Sequence, residues 1–331
     1  MSSPGFDFDP YLSDPARWGV SMAQVTELIV ACLDAARAKS VAEVGAFAGD
    51  LTGVLIKWAA TADARVQAID PEPQRGLVQL AAEHPELELI RRTSLDALPE
   101  LPLPDAIVID GDHNYYTVSE ELRLIGERAA DGRLPLLFFH DVLWPHGRRD
   151  DYFDASAIPP DARHPVVPEA DGITPGEPGS GPGGLPYPRS AAHEGGPRNG
   201  VLTAIEEFVA GHDRVRLAVV PAFFGFAVAW DTTASFGDEL ARIVAPFDRH
   251  PVLERLEANR VGQLALAYRR QTEIWRLQAQ LSRQRAVLER LLDSSAFGVA
   301  ERLSQLRARA GVATEQSTVS KEEIRRALEG G

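Results

Sequence analysis

The stretch Val108-Ile109-Asp110-Gly111-Asp112-His113 is an apolar strand that ends abruptly in two carboxylates and an imidazole. A second stretch, Leu136-Leu137-Phe138-Phe139-His140-Asp141, ends in the same way one predicted helix later. In open α/β sheets the functional groups lie in a crevice just beyond the carboxyl ends of the strands. If these two strands are neighbours, their terminal side chains share one small volume. The sequence therefore predicts a ligand crevice lined by Asp110, Asp112, His113, His140 and Asp141.

Both strands belong to a regular alternation of strands and helices, which is typical of a mostly parallel sheet. The predicted strands are 40–44, 65–69, 87–91, 106–109 and 134–139, and the predicted helices are 21–38, 50–62, 73–84, 117–130 and 201–210. Two further strands, 214–219 and 223–230, are separated only by a short turn. They must be antiparallel, because a parallel pair needs a crossover of about a dozen residues. We predict an α/β fold with a doubly wound, mostly parallel seven-stranded sheet that ends in an antiparallel hairpin.

The composition is that of an ordinary soluble protein with a net charge of −14 and a pI near 5.1. This acidity argues against nucleic acid or an anionic membrane as the main partner. Residues 1–14 are polar and acidic without a basic and apolar leader, and no segment is apolar enough to span a membrane. The single cysteine, Cys32, lies among apolar residues at helical spacing and is expected in the core. We expect a cytoplasmic protein.

Four parts of the chain differ in pattern. We predict an N-terminal helical cap (1–39), an α/β domain (40–232), a C-terminal helical extension (233–310) and a polar, frayed tail (311–331). Residues 158–200 contain ten prolines and nine glycines, so the loop at about 142–200 is either a lid over the crevice or a solvated linker.

The C-terminal extension reads as one long helix from about Pro251, with a local charge of +5 over residues 251–310. It carries apolar residues and one Gln at alternating three and four spacing, the pattern of three heptads. This helix either dimerises as a coiled coil or packs on its own domain. The residues are Ile274, Leu277, Leu281, Gln284, Leu288 and Leu291.

A glycine turn, Glu43-Val44-Gly45-Ala46-Phe47-Ala48-Gly49, follows the first strand. Glycines allow a ligand to approach the backbone, and the next helix presents its amides. The turn is neither the Gly-x-Gly-x-x-Gly of dinucleotide enzymes nor a phosphate loop, which disfavours a nicotinamide oxidoreductase. Asp70 ends the second strand, where an acidic side chain can accept hydrogen bonds from ribose hydroxyls. Its alternative role is to cap the helix that begins after Pro71.

In these motifs the chain resembles the class I S-adenosylmethionine-dependent methyltransferases, specifically the metal-dependent O-methyltransferases of the macrocin and aminocoumarin type. The resemblance covers about residues 38–230 and rests on the glycine turn, Asp70, the 109–113 stretch and the His140-Asp141 pair. It implies a Rossmann-like fold in which the glycine turn holds the methionine part of the cofactor, Asp70 the ribose and Ser94 the adenine. The implied cofactor-binding residues are Glu43, Gly45, Phe47, Gly49, Asp70, Ser94 and Asp110.

The same resemblance implies a divalent metal, usually magnesium, held after the fourth and fifth strands. Carried over by position, Asp110, His140 and Asp141 would be the ligands, and Asp112 or His113 the general base. The relatives have a carboxylate where this chain has His140. Magnesium prefers oxygen ligands, so manganese, iron or zinc become alternatives here. The other reading of Asp112 and His113 is a turn residue that caps the next helix and a surface histidine.

Aromatic and polar residues at the two ends of the 142–200 loop are suited to contact an acceptor such as a sugar or a glycosylated natural product. They are Trp144, His146, Arg148, Tyr187, His193, Glu194 and Asn199. The expected function is metal-assisted O-methylation of a small molecule by a homo-oligomer. The alternatives are metal-independent transfer to a carboxylate or amine, and a non-catalytic scaffold that assembles a biosynthetic complex.

Overall fold

The computed structural model describes residues 22–129, 134–311 and 320–329. The predictions for residues 1–14 lie outside this range. The chain divides into two compact units, Met1–Ala265 and Leu266–Gly331. The division falls later than the predicted domain boundary at 232/233, because the helix Gly237–Val244 buries Leu240 and Val244 in the core of the first unit.

The first unit contains the seven predicted strands and the five predicted helices in the predicted order, together with two short strands and two helices that the sequence did not predict as separate elements. Its strands are β1 (Ser40–Val44), β2 (Arg65–Ile69), β3 (Leu87–Ile90), β4 (Ala106–Ile109), β5 (Leu136–His140), β6 (Gly172–Ile173), β7 (Ser180–Gly181), β8 (Val215–Val220) and β9 (Phe226–Asp231). Its helices are α1 (Thr26–Ala36), α2 (Asp50–Ala62), α3 (Arg75–Glu83), α4 (Ser94–Ala97), α5 (Tyr115–Arg128), α6 (Val201–Ala210) and α7 (Gly237–Val244), and a further helix, α8, begins at Pro251. The unpredicted elements are strands β6 and β7 and helices α4 and α7.

Seven strands form one sheet in the order β3-β2-β1-β4-β5-β9-β8. Strands β1 to β5 are parallel, and β9 runs antiparallel to both β5 and β8. This is the predicted doubly wound sheet with a final antiparallel hairpin. Helices cover both faces, so the central strands bury every residue; all four residues of β4 and all five of β5 are buried.

The hairpin turn differs from its prediction. We predicted that the last strand begins at residue 223, but it begins at Phe226. Phe223, Phe224 and Gly225 have φ values of 53°, 66° and 93°, which lie in the left-handed region that a strand does not use. The prediction rested on the apolar residues at 223–230, which are typical of a buried strand. The backbone partners that hold residues 223–225 in a turn are distant in the sequence and could not be predicted from it.

The proline- and glycine-rich segment is ordered structure with buried polar anchors, so the solvated-linker alternative is not what the structure shows. Arg149 and Asp150 are fully buried near its start. The Arg149 guanidinium donates to the carbonyls of Ala191 and Pro178. The Asp150 carboxylate accepts hydrogen bonds from the backbone amides of Tyr115 and Gly200. The two ends of the segment are therefore tied to each other and to α5.

The second unit is helical. Helix α8 runs from Pro251 to Asp293, and α9 (Ser295–Arg309) and α10 (Lys321–Glu329) follow. Helix α10 lies in the tail that we predicted to fray. Four of the predicted coiled-coil positions, Ile274, Leu277, Leu281 and Leu291, are 42–63% exposed. In the described part of the chain, no helix combines the length and apolar character needed to cross a membrane.

Candidate active site

The site lies where β4 and β5 end side by side. Ile109 pairs with Phe139, so the next residues, Asp110 and His140, are neighbours at the carboxyl edge of the sheet. Asp141 follows with a left-handed φ of 53°, a conformation that aspartate adopts more readily than most residues other than glycine. The turn after β4 brings His113 back over the same edge. The predicted convergence of Asp110, His113, His140 and Asp141 is therefore present.

These four side chains are in direct contact. The Nδ1 atom of His140 is 3.2 Å from Asp110 Oδ1 and 3.6 Å from Asp141 Oδ2. The Nε2 atom of His113 is 3.4 Å from Asp110 Oδ1 and 3.1 Å from Asp141 Oδ2. Two imidazole nitrogens thus face two carboxylates across one small space.

The electrostatics of the four groups follow from this pairing. Burial alone lowers the pKa of His140, but the two aspartates outweigh it and raise the pKa to about 10. Burial likewise lowers the pKa of His113, and the same aspartates raise it to about 9. Burial alone raises the pKa of Asp110, but the adjacent histidines hold it well below its usual range. The pocket therefore strongly favours positive charge between its carboxylates.

The donor set fits a divalent cation. His140 Nε2 lies 2.8 Å from the carbonyl oxygen of Phe223, which can only accept a hydrogen bond. The proton of a neutral ring is therefore held on Nε2, and the Nδ1 lone pair faces Asp110 and Asp141. Asp110, His140 and Asp141 form one potential metal-binding group, and His113, Asp141 and His146 form a second. A set of carboxylates and imidazoles suits manganese, iron or zinc better than magnesium.

The glycine turn lies directly beside this cluster. Gly45 has a φ of +82°, and a Cβ atom there would lie 2.1 Å from the backbone oxygen of Asp110. Only glycine permits this approach. The carboxylate of Asp70 accepts two hydrogen bonds from the backbone. One oxygen accepts from the Phe47 amide in the glycine turn at 2.7 Å, and the other accepts from the Glu72 amide just after β2 at 2.8 Å. Asp70 therefore shapes the glycine turn and caps the next segment, and its binding of a ribose stays a prediction.

Two more of the predicted cofactor residues are buried. Glu43 accepts a hydrogen bond from Thr52 at 2.6 Å, and burial raises the pKa of its carboxyl to about 8. Ser94 lies at the start of α4 and is buried. It faces Glu121 of α5, a fully buried carboxyl whose pKa burial raises to about 8. Gly49, with a φ of +89°, is the N-cap residue that precedes α2, and Phe47 in the same turn is 64% exposed.

The structure separates the two candidate bases. Both oxygens of Asp112 are engaged away from the cluster: one accepts from the Phe153 amide at 2.9 Å and the other from the Thr117 hydroxyl at 3.1 Å. Asp112 thus ties the turn after β4 to the long segment. His113 instead contacts both site aspartates, and its ring stacks on His146 with the centroids 5.0 Å apart.

The seven predicted acceptor residues fall into two groups. Trp144, His146 and Tyr187 form an aromatic wall next to His113; Tyr187 lies edge-on to both other rings, at 5.6 Å from His146 and 6.1 Å from Trp144. Burial lowers the pKa of His146 to about 3, so this ring is neutral.

Three of the other four residues have side-chain contacts that are internal to the fold, and the fourth, His193, is exposed. Arg148 donates to Thr203 and Glu206 of α6. Asn199 accepts from Asp150 and donates to two carbonyls. Glu194 lies 3.7 Å from Arg149. The sequence analysis predicted all seven residues as acceptor contacts, because their positions at the ends of the loop do not show which side chains are already paired within the fold.

A family model described as a methyltransferase domain matches residues 42–142, which run from the middle of β1 through β5 and include the cluster at the strand ends. The match and the sheet order support an S-adenosylmethionine-dependent methyltransferase. None of the curated proteins matches the chain significantly.

Among solved structures, three similar ones are distant. An SAH-bound methyltransferase of Podospora anserina is 15% identical, with 66% of this chain and 83% of that one covered and a TM-score of 0.39. Human N-acetylserotonin methyltransferase in complex with SAM is 12% identical, with coverage of 65% and 54% and a TM-score of 0.36. A methyltransferase from Geobacter sulfurreducens is 12% identical, with coverage of 65% and 82% and a TM-score of 0.34. Likeness at this level carries no argument about mechanism or acceptor.

Sequence reasoning missed three groups that touch the site or its supports. They are Glu121 beside Ser94, the Phe223 carbonyl on His140, and Glu257 of α8, which binds the backbone of the Phe223–Phe224 turn. Gly225 is the local signal of a turn at this position, because glycine interrupts the apolar run. No local pattern connects residue 257 to residue 223.

Proposed function

We propose that the protein is an S-adenosylmethionine-dependent O-methyltransferase that uses a divalent metal at Asp110, His140 and Asp141 and methylates a hydroxyl of a sugar or glycosylated small molecule. The observation that carries this proposal is the convergence of two carboxylates and two imidazoles beside the glycine turn. A methyl group bound at the turn and a hydroxyl bound at the cluster would meet between them.

The chemistry needs alignment, charge and a base. Bound S-adenosylmethionine supplies a methyl group on a sulfonium, and a divalent cation supplies positive charge that stabilises a developing alkoxide. The Gly45 turn sets how closely the cofactor approaches Asp110. His113 is the general base in this proposal, because its Nε2 atom lies within the cluster while both oxygens of Asp112 are engaged elsewhere. Asp110 and Asp141 raise the pKa of His113 to about 9, and a cation held by these carboxylates would offset their charge and leave the ring neutral, able to accept a proton. Its role is to take the proton of the acceptor hydroxyl, a very weak acid.

The aromatic wall supports a carbohydrate acceptor. Trp144 and Tyr187 are half-buried beside the buried His146, and sugar rings stack on aromatic ring surfaces of this kind through their C–H groups.

Calorimetric titration of S-adenosylmethionine into chelator-treated protein, alone and with Mn²⁺ or Mg²⁺, tests the cofactor and the metal together. We expect saturable binding, a separate heat for the ion, and tighter ion binding by Mn²⁺ than by Mg²⁺. The matched variant Asp110→Ala should keep cofactor binding and lose ion binding. No cofactor binding under any condition would favour the scaffold alternative.

The acceptor class is tested by the release of S-adenosylhomocysteine in the presence of simple glycosides, phenols, carboxylates and amines. Turnover with glycosides that a chelator abolishes supports the proposal. Turnover with a carboxylate or amine that survives the chelator would establish the metal-independent alternative.

The exposed stripe on α8 supports a homo-oligomer as the working form. Ile274, Leu277, Leu281 and Leu291 are exposed, and Gln284 is the one polar residue in the heptad pattern. A second copy of the helix would cover the stripe, and a Gln at one core position favours a single register.

A further inference from the structure

We propose that Glu257 of α8 is a positioning residue for the active site: its carboxylate holds the Phe223–Phe224 turn so that the Phe223 carbonyl fixes the ring of His140. The first compact unit ends at Ala265, within helix α8 (Pro251–Asp293). Glu257 lies on the part of α8 that belongs to the first unit. The inference rests on the proposed function only where it concerns the metal. The link between Glu257 and His140 consists of contacts within this unit.

The first link joins Glu257 to the turn. Its Oε1 atom accepts from the Phe224 amide at 2.7 Å, and its Oε2 atom accepts from the Phe223 amide at 3.1 Å. The side chain is 8% exposed. Two successive residues with left-handed φ values turn their amides toward the same side, which makes a small anion-binding concavity. One carboxylate therefore satisfies both amides and stabilises a conformation that phenylalanine otherwise disfavours.

Arg260 fixes the carboxylate in place. Its guanidinium donates to both oxygens of Glu257, at 2.8 and 2.6 Å, and also lies over the ring of Phe224 at 4.3 Å from its centroid. Burial alone raises the pKa of Glu257, but the hydrogen bonds from Arg260 and from the two amides outweigh it and lower the pKa. The carboxylate is thus charged and bidentate, an arrangement that fixes geometry as well as charge.

The second link joins the turn to the catalytic cluster. The Phe223 carbonyl accepts from His140 Nε2 at 2.8 Å. The Phe224 carbonyl accepts from the Leu143 amide at 2.8 Å, so the turn is also tied to the chain just after Asp141. With Nε2 held by Phe223, the opposite nitrogen of His140 points at Asp110 and Asp141. Partners of this kind set the tautomer and direction of a ligating histidine, and their loss lowers metal affinity about 10–100-fold.

The test uses the full chain with Glu257→Ala, Glu257→Gln and the control Glu254→Ala. Glu254 is an exposed acid one turn earlier on the same helix. We measure Mn²⁺ affinity and S-adenosylmethionine affinity by calorimetry, and we determine crystal structures of the wild type and Glu257→Ala. We expect Glu257→Ala to weaken Mn²⁺ binding at least about 10-fold, while cofactor affinity stays within about twofold. We expect Glu257→Gln, which keeps one acceptor oxygen, to lie between wild type and alanine. The control should match the wild type.

Retention of the His140–Phe223 contact in the Glu257→Ala crystal structure, together with Mn²⁺ affinity within twofold of wild type, would overturn the proposal. An equal loss of Mn²⁺ and cofactor affinity would also overturn it, because that pattern indicates general loosening. If the wild type binds no divalent ion, the metal in the proposed function fails. The positioning role is then decided by the crystal structures alone: loss of the contact supports it and retention overturns it. If the alanine variant does not fold, Glu257→Gln carries the same comparisons.

Discussion

The two halves of the active-site edge are built in different ways. At the ends of β1 and β2, the predicted cofactor half is built from backbone. Gly45 packs against the Asp110 carbonyl, and the two oxygens of Asp70 accept hydrogen bonds from the Phe47 and Glu72 amides. At the ends of β4 and β5, the proposed metal half consists of side chains, with His113 and His140 facing the two aspartates.

This difference determines what a substitution does in each half. In the backbone-built half, a substitution acts by adding a side-chain atom to a close-packed turn. It therefore lowers the stability of the fold and the affinity for the ligand together. A side-chain cluster is changed by removing a donor, which affects the chemistry and leaves the sheet in place. Four measurements test whether the halves are as separable as their construction indicates.

The largest effect is expected for Asp110→Ala. Loss of the central ligand removes charge stabilisation of several kcal/mol, so turnover should fall about 10³-fold. The affinity for S-adenosylmethionine should stay within a few-fold, because the glycine turn is untouched. Steady-state kinetics and calorimetry check the two parts. A variant with near-normal turnover would remove the metal assignment, and one that loses cofactor binding as well would show that the halves are coupled.

The next effect is expected for Gly45→Ala. The added Cβ would lie 2.1 Å from the Asp110 oxygen at a φ of +82°, so the free energy of unfolding should fall by about 3 kcal/mol or more. Both cofactor and ion binding should weaken, since the clash moves the end of β4. Urea denaturation and calorimetry measure this. Gly181→Ala is the control, because nothing lies within 4 Å of its Cβ position. A stable Gly45→Ala protein with normal binding would contradict the close approach.

A smaller effect concerns the pH dependence of stability. Burial raises the pKa of Glu121 to about 8, whereas an unfolded glutamate titrates at 4.5. Between these values the folded chain holds a proton that the unfolded chain has lost, so stability falls as the pH rises. The slope from this group is at most about 1.4 kcal/mol per pH unit. Urea denaturation at pH 5, 6.5 and 8 should give a flatter profile for Glu121→Gln than for wild type. Parallel profiles would show that Glu121 is charged in the folded chain.

The smallest effect on either half is expected from the α8 stripe. Leu281→Lys together with Leu288→Lys places charge in the heptad core and should lower the oligomeric mass measured by light scattering. Cofactor and Mn²⁺ affinities should be unchanged, because both substitutions lie in the second unit and leave Glu257 intact. The exposed pair Arg283→Ala and Arg290→Ala is a matched control. An unchanged mass would argue against a coiled coil.

The strands and the cluster were predictable because their signals are local. Apolar runs that end in Asp110 or His140 reveal a parallel sheet and its functional edge, and the strand order then places those ends together. Long-range partners were not predictable. Nothing near Arg148 shows that it pairs with Glu206, and nothing near Phe223 shows that a carboxylate 34 positions later holds its amide. The same limit misplaced the start of β9.

The anchors Arg149 and Asp150 have a consequence for the diversity of acceptors. They bind Ala191 and Gly200, so the two ends of the long segment are fastened together, and Arg149 adds one contact to the carbonyl of Pro178 within the segment. The residues at about 153–189 form an insert on a fixed frame. We expect that exchange of this insert between homologous chains would change acceptor choice without disturbing the cofactor half, which makes it a natural unit for recombination and for engineering.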